Sequence, residues 1–427
     1  MGSAPFPGGR NTRIRHHRLD AYRGLEKNRF PKPSRQTYLK LSKGQLYVVL
    51  LTTFLAFCTL YTPQPILPQL VTEFGVTDAS AALLVTFTLI PLGLAPIVYG
   101  YFLQAVPART MLRIALAALI LDQWLIFLST EFWQILFLRG VQGLILPAIF
   151  TSLMTYCASM SSPRRVRSVM GLYVAATIVG GFSSRLLSGY LATTLGWEWV
   201  FLVLGTTLVA PLFLTGKLKA DAQINFARLD VRTIFRIVKI PEYRNAYLSL
   251  MIMFFVFAGV LALTPFHVRE MDPGVSSFTI SLLYLGYIVG IPVAAFSDHI
   301  TRLLGGVRNT LLFALGITMF GLGLAQTTSF AMLFLMMIIL AAGFFLVHSV
   351  LSGYLNDVAS EHKGVVNGIY VSAYYLSGAI GSWMPFLVYE DIGWRTNMLL
   401  LLLLLGLSII FILGLARRET EKVTRDC

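Results

Sequence analysis

Twelve apolar stretches, each long enough to cross a lipid bilayer, recur along these 427 residues. A spanning helix needs about 20 consecutive apolar residues. Stretches that meet this begin near Leu46, Ala79, Met111, Phe132, Val169 and Val200. After a polar interval they resume near Ala246, Phe278, Asn309, Phe330, Val365 and Asn397. Composition agrees, with 56% hydrophobic residues and only 13% charged. A soluble chain of this size has too little interior for so much apolar surface, so lipid is the solvent for most of it. Cys58 and Cys157 lie in apolar stretches and Cys427 is the last residue. With no CxxC and no His/Cys cluster, neither a disulfide framework, a metal site nor a cofactor is expected.

The formal charge of +14 reads as membrane orientation rather than nucleic-acid binding, because of where the cations fall. Residues 1–44 hold eleven Lys/Arg, two acids and no apolar run. That segment reads as a basic cytoplasmic tail, with attraction to anionic lipid as the sharper alternative, and not as a signal peptide. Residues 45–216 form a first group of six spans and 245–416 a second. Between them, 217–244 is a polar linker with seven Lys/Arg and three acids, and 417–427 is a second tail. With a cytoplasmic N-terminus, thirty of the thirty-four Lys/Arg fall inside. They include Arg109, Arg113, Arg164, Arg165, Arg167, Arg302, Arg308 and Lys363, whereas only Arg269 and Arg395 lie outside and Arg139 and Arg185 lie within spans. This positive-inside bias places both termini in the cytoplasm of a multi-pass cell (inner) membrane protein.

The two groups of spans are related by a repeat. Gly171, Tyr173 and Val174 align with Gly368, Tyr370 and Val371, and Gly196-Trp197 aligns with Gly393-Trp394 without a gap. The fifth span therefore overlays the eleventh. Duplicated halves with a solute site between them are the architecture of alternating-access carriers.

Four stretches carry a resemblance to a known family: LYTPQPILPQL from Leu60, FLRGVQGL from Phe137, GGFSSRLLSG from Gly180 and AAGFFLVHSV from Ala341. With them the chain, from about Leu46 to Arg417, resembles the major facilitator superfamily, and within it bacterial inner-membrane transport proteins of the YnfM type. The resemblance implies an all-α integral membrane fold of twelve transmembrane helices in two six-helix pseudo-repeats. It also implies a monomeric secondary transporter whose partners are a small-molecule substrate, protons and the lipid bilayer. Arg139 and Gln142 match the helix 4 motif, which faces the pathway in the family. Two departures stand out. The loop between helices 2 and 3 runs from Gly100 with Gln104 in place of the family's acid and Pro107 in place of a glycine, before Arg109. The loop after helix 8 keeps Ser297-Asp298, followed by Arg302. These loops are the expected conformational switches on the cytoplasmic side, with the lock resting more on Asp298. On helix 5, Gly180-Gly181 replaces the Gly-Pro pair typical of antiporters.

Ionisable groups inside a span are costly, and so are functional candidates. Asp122, Arg139, Arg185 and Gln64 fall at similar depth when 1.5 Å of rise is counted per residue. In a structural reading, Asp122 pairs with Arg139 or Arg185 and ties helices together. In a functional one, an arginine in excess meets an anionic or polar solute, or Arg139 sets the protonation of an acid. The resemblance favours the structural role for Asp122 and the functional one for Arg139. His348 is the one histidine expected within the bilayer, either a packing residue or a proton carrier. Tyr374, Tyr375 and Trp383 would suit an aromatic wall, and Pro63, Pro65 and Pro68 a kink in helix 1. The expected activity is proton-coupled efflux of a small organic solute or drug. Uptake of a polar metabolite is the alternative, or a carrier fold repurposed as a sensor or assembly factor. A membrane-embedded enzyme is disfavoured, since HExxH and GxSxG are missing, and so is direct ATP drive, since no phosphate loop is present.

Overall fold

The computed structural model describes residues 41–102, 106–161, 163–218, 223–224, 231–326, 329–359 and 363–415. Twelve helical segments cross the molecule: α1 (Lys43–Phe74), α2 (Asp78–Phe102), α3 (Ala108–Phe127), α4 (Phe132–Met160), α5 (Pro163–Thr194) and α6 (Trp197–Lys217), then α7 (Pro241–Met271), α8 (Ser277–Ala295), α9 (Val307–Leu324), α10 (Phe330–Val358), α11 (Lys363–Gly381) and α12 (Phe386–Leu413). Among the described residues, eleven of these are long and apolar enough to span a bilayer. The remaining one, α11, is thinned in hydropathy by Asn367, Ser372, Ser377 and three tyrosines, several of which face an internal cavity.

Local chemistry fixes where the helices start. Ser42 caps α1 in a reciprocal box with Gln45, and Glu131 and Gln134 form the same box on α4. Both arrangements satisfy backbone N–H groups that a helix start leaves free. Pro163 and Pro241 open α5 and α7, where a missing N–H costs nothing. Helix α1 is interrupted as Pro63, Pro65 and Pro68 suggest: its first segment ends at Leu60, a 3₁₀ turn covers Gln64–Ile66, and Leu67–Phe74 completes the span. The linker carries a short helix, Val231–Lys239, and one strand of a two-residue antiparallel pair that joins Val106 to Ile224 and Pro107 to Gln223.

The repeat is visible in the backbone. Gly196 and Gly393 both adopt positive φ, at 119° and 68°, immediately before Trp197 and Trp394. Left-handed backbone strongly favours glycine, so the same residue turns the chain at the same place in each half. The break at Gly393 divides α12, placing the start of its last straight segment at Trp394 rather than near Asn397.

Among the described residues the two halves meet chiefly along two seams, where α2 packs on α11 and α5 on α8, and the later part of α1 also touches α7 and α8. The face on which α1 begins and α12 ends is called the basic face below, and the other the opposite face. Near the opposite face the seams are tight. Thr193 Oγ1 accepts from the Phe278 N–H at 3.0 Å, and Ser277 Oγ donates to Gln69 Oε1 at 3.1 Å. Gly189 on α5 lies so close to α8 that a Cβ there would meet Ser277 O and Ser281 Cβ at 2.5 Å. Deeper in, Thr86 Oγ1 on α2 donates to Ala379 O on α11 at 2.9 Å.

Candidate functional site

Toward the basic face the halves part, leaving a cavity of about 800 Å³. Its mouth lies among residues near the basic ends of their helices, including Met170, Asn356 and Asn367. Aromatic rings make up much of its wall: Phe57, Tyr61, Tyr287, Phe345, Tyr370, Tyr374 and Tyr375 all contribute. No Asp or Glu is among the described lining residues. Behind the wall, Tyr374 stacks on Phe254 with ring centres 3.8 Å apart, and Phe257 on Phe344 at 4.0 Å. Such stacks hold the C-terminal wall rigid. A second lobe of about 390 Å³ shares Phe57, Met154, Asn367, Val371 and Tyr375 and extends between α2, α4 and α11.

His348 lines the cavity from α10. Its Nδ1 lies 2.8 Å from Tyr370 Oη, which also donates to the His348 carbonyl at 3.0 Å. Tyr374 and Tyr375 form part of the same wall, set edge to face at 5.0 Å. Trp383, by contrast, falls in the turn beyond α11 and outside the described lining.

Arg185 and Gln64 stand behind the closed end, outside the described lining, with Arg185 against Tyr61, Gly181 and Tyr287, which belong to it. Arg185 is fully buried, and its Nε donates to Gln64 Oε1 at 2.6 Å. Its Nη1 donates to the Gly181 carbonyl. The guanidinium carbon lies 4.4 Å from the Tyr61 ring centre and 5.0 Å from those of Tyr284 and Tyr287. A desolvated cation among three rings is held by their quadrupoles.

Arg139 and Gln142 form a separate group. The side chain of Arg139, fully buried and outside the described cavity lining, gives its protons to backbone carbonyls at the break in α1. Nη1 donates to Thr59 O at 3.0 Å, Nη2 to Leu60 O at 2.7 Å and Nε to Leu84 O on α2 at 3.1 Å. Nη1 also donates to Gln142 Oε1, and Gln142 Nε2 donates to Thr59 O at 2.9 Å. The i+4 partner of Thr59 is Pro63, which has no N–H, so that carbonyl needs a donor from elsewhere.

The expected layer of charges thus divides into two hydrogen-bonded groups and one isolated acid. Asp122 is buried on α3, accepts from Gln123 Nε2 at 3.2 Å, and has an Oδ1 without a partner. Among the described residues it makes no ion pair with Arg139 or Arg185. The reason is directional, because both guanidinium groups are drawn to carbonyls and rings around α1. A second correction concerns histidine. Helix α7 runs 31 residues to Met271 and buries His267, which stacks on Trp394 at 4.1 Å, so His348 is not alone within the spans. The apolar run of α7 hid it, since depth counted over 20 residues stops short of position 267.

Of the switch positions, Gly100 lies in the last turns of α2 and Gln104 lies outside the described residues. Arg109 Nη1 donates to Leu218 O at 3.2 Å, binding α3 to the end of α6. Asp298 and Arg302 are exposed on a short helix, Ser297–Leu303, at the basic face.

Two bundles of six helices, related by an internal repeat and parted around a polar-tipped cavity, define a membrane carrier rather than an enzyme. The chain matches the Major Facilitator Superfamily over residues 49–382 and belongs to it. It is 26% identical to the inner membrane transport protein YnfM of Escherichia coli (strain K12) over 398 residues, which is 89% of this chain and 93% of the relative. It is also 26% identical to the uncharacterized MFS-type transporter YybF of Bacillus subtilis (strain 168), over 83% of this chain and 90% of that one. Among solved structures, it resembles a bacterial homolog of the human lysosomal transporter Spinster in an inward-facing, unoccupied conformation. The TM-score is 0.68 and the identity 14%, covering 86% of this chain and 96% of the other. The chain is accordingly a multi-pass membrane transporter that takes a small-molecule substrate.

Proposed function

We propose that this chain is a proton-coupled secondary carrier that exports a small organic solute across the cell (inner) membrane. The observation that carries the reading is the cavity of about 800 Å³ between the halves, open at the basic face and sealed at the opposite one by the α5–α8 seam. The positive-inside bias makes the basic face cytoplasmic, with both termini there, so this conformation would load solute from the cytoplasm. Alternating access then requires the basic ends of the halves to close and the α5–α8 seam to open. The loops at Gly100 and Arg109 and at Asp298 and Arg302 are the elements that would meet on closure.

Coupling to protons needs a group in the pathway that can gain and lose a proton. His348 brings an imidazole to the described lining, bonded to Tyr370 and flanked by Tyr374. Arg139 and Gln142 act on the pathway indirectly in this reading. They hold the broken end of α1 to α2 and α4, so that Tyr61 and Gln64 keep their positions. A second reading, uptake, is favoured by Arg185: a solute anion entering together with a proton would cross without net charge.

The test is to energise everted membrane vesicles holding a pH-sensitive dye and to screen solutes for substrate-induced proton release. Collapse of the gradient by a solute, dependent on this protein, supports antiport. Solute-induced acidification in right-side-out vesicles supports uptake. Silence in both orientations across a broad panel contradicts proton coupling.

A further inference from the structure

Arg185 is a buried cation without a counter-charge. Among the described residues no carboxylate lies within 4.0 Å of it. Gln64 and the Gly181 carbonyl take two of its donors, and Nη2 has no hydrogen-bond partner. A guanidinium carries five N–H donors, and leaving such a group unpaired in a low-dielectric interior is expensive. The three rings around it offset part of that cost.

The position of this group relative to the cavity is what gives it a use. Tyr61, Gly181 and Tyr287 each line the cavity and each touch the guanidinium. The wall between them is therefore one residue thick, and at Gly181 it has no side chain. A Cβ built at Gly181 would stand 3.7 Å from Arg185 Nη1 and 4.0 Å from the Tyr61 ring, so only a single atom's width of contact separates the guanidinium from the Gly181 wall. Tyr61 belongs to the first half, Tyr284 and Tyr287 to the second, so the cage straddles the interface that must move. The remaining lining mixes aromatic, aliphatic and neutral polar side chains and is free of described acids.

Resting on the carrier reading above, we propose that the solute is an amphipathic organic monoanion. Its carboxylate takes the free Nη2 of Arg185 at the closed end of the cavity, and its apolar body lies against Tyr287, Tyr374 and Tyr375. One free Nη group suits a single carboxylate better than a dianionic phosphate, which calls for a wider fork of donors. A cationic solute is disfavoured, because it would meet a fixed cation and no acid. Binding also joins the halves: a carboxylate on Arg185 touches residues of α1, α5 and α8 at once, which ties occupancy to the closure that follows.

The test uses the full chain, purified into nanodiscs, with ligand binding read by thermal shift and by intrinsic fluorescence. The probes are 2-naphthoate, its carboxamide, 2-naphthylmethylamine and phenyl phosphate. The expected result is saturable binding of 2-naphthoate, with the carboxamide about tenfold weaker because a charge-assisted bond is lost, and the amine weaker still. Arg185→Gln removes the preference for the carboxylate, and Arg185→Lys keeps part of it. Equal binding of naphthoate and its carboxamide, tighter binding of the amine or of phenyl phosphate, or an unchanged preference in Arg185→Gln overturns the assignment. Should Arg185→Gln fail to fold, the wild-type comparison of carboxylate with carboxamide decides alone. Because binding is read without transport, the two ideas fail separately. A carboxylate preference without flux sinks the carrier reading, and flux of solutes with no carboxylate preference sinks the anion.

Discussion

Arg139 Nη2 donates to the carbonyl oxygen of Leu60 at 2.7 Å, at the residue where the first segment of α1 stops. The pairing places a cation on the carboxyl end of a broken helix, where the backbone dipole is negative. Nη1 of the same side chain donates to Thr59 O at 3.0 Å, the carbonyl whose helical donor Pro63 removes.

Arg139→Ala should therefore destabilise the protein, whatever it does to transport. Each buried carbonyl left without a donor costs about 1–3 kcal/mol; Leu60 O loses its side-chain donor, and Thr59 O keeps only Gln142 Nε2. Lysine restores the charge but not the fork that reaches Leu84, Thr59 and Leu60 together. Melting of the purified protein, followed by size-exclusion chromatography, should rank wild type above Arg139→Lys and that above Arg139→Ala. An alanine variant as stable as wild type would show that the break in α1 needs no brace.

His348→Phe should separate proton movement from solute movement. Phenylalanine keeps an aromatic packed against Phe344 and Tyr374 but removes the group that titrates. Solute-induced proton flux should be lost, while exchange of labelled for unlabelled solute at equal pH survives. Full proton coupling in the variant would move the coupling group elsewhere.

Asp122→Asn should leave both stability and coupling close to wild type, or raise stability. The carboxylate has no ion pair, one unpartnered oxygen and no place in the described lining, so neutralising it removes a desolvation cost. Loss of the dye response in a stably inserted Asp122→Asn protein would put the acid in the proton path.

Gly189→Leu should keep the opposite face from sealing. A side chain there runs into Ser277 O and Ser281 on α8, and packed cores do not absorb that volume without shifting. In a cysteine-free background, a cysteine at Gln69 should label faster from the opposite face when Gly189→Leu is added. Unchanged labelling would mean that α5 and α8 part by another route.

The fold was largely legible in the chain because lipid imposes a length rule that periodicity alone does not. Apolar runs near 20 residues, a single polar linker and the Gly-Trp repeat were enough to place twelve helices. The site was legible only in its ingredients. Arg185, Gln64, His348, Tyr374 and Tyr375 are each visible as polar or aromatic residues in apolar surroundings, and the structure gathers them around one cavity. Their partners were not visible. Tyr61, Tyr284 and Tyr287 come from different halves, and nothing local marks a tyrosine whose ring will cover an arginine about a hundred positions away. The depth count placed Asp122 level with two arginines, but depth carries no azimuth, and the arginines turn toward α1. His267 escaped because α7 is longer than the bilayer requires.

The central claim is alternating access between two halves, and one disulfide tests it directly. Thr193 on α5 accepts from the Phe278 N–H on α8 at 3.0 Å, which joins the halves at the opposite face. With Thr193→Cys and Phe278→Cys in a cysteine-free background, oxidation should stop solute-induced proton movement in vesicles and reduction should restore it. Flux that continues unchanged through the oxidised, cross-linked protein would contradict the account, because a carrier whose opposite face is locked shut cannot deliver its solute there.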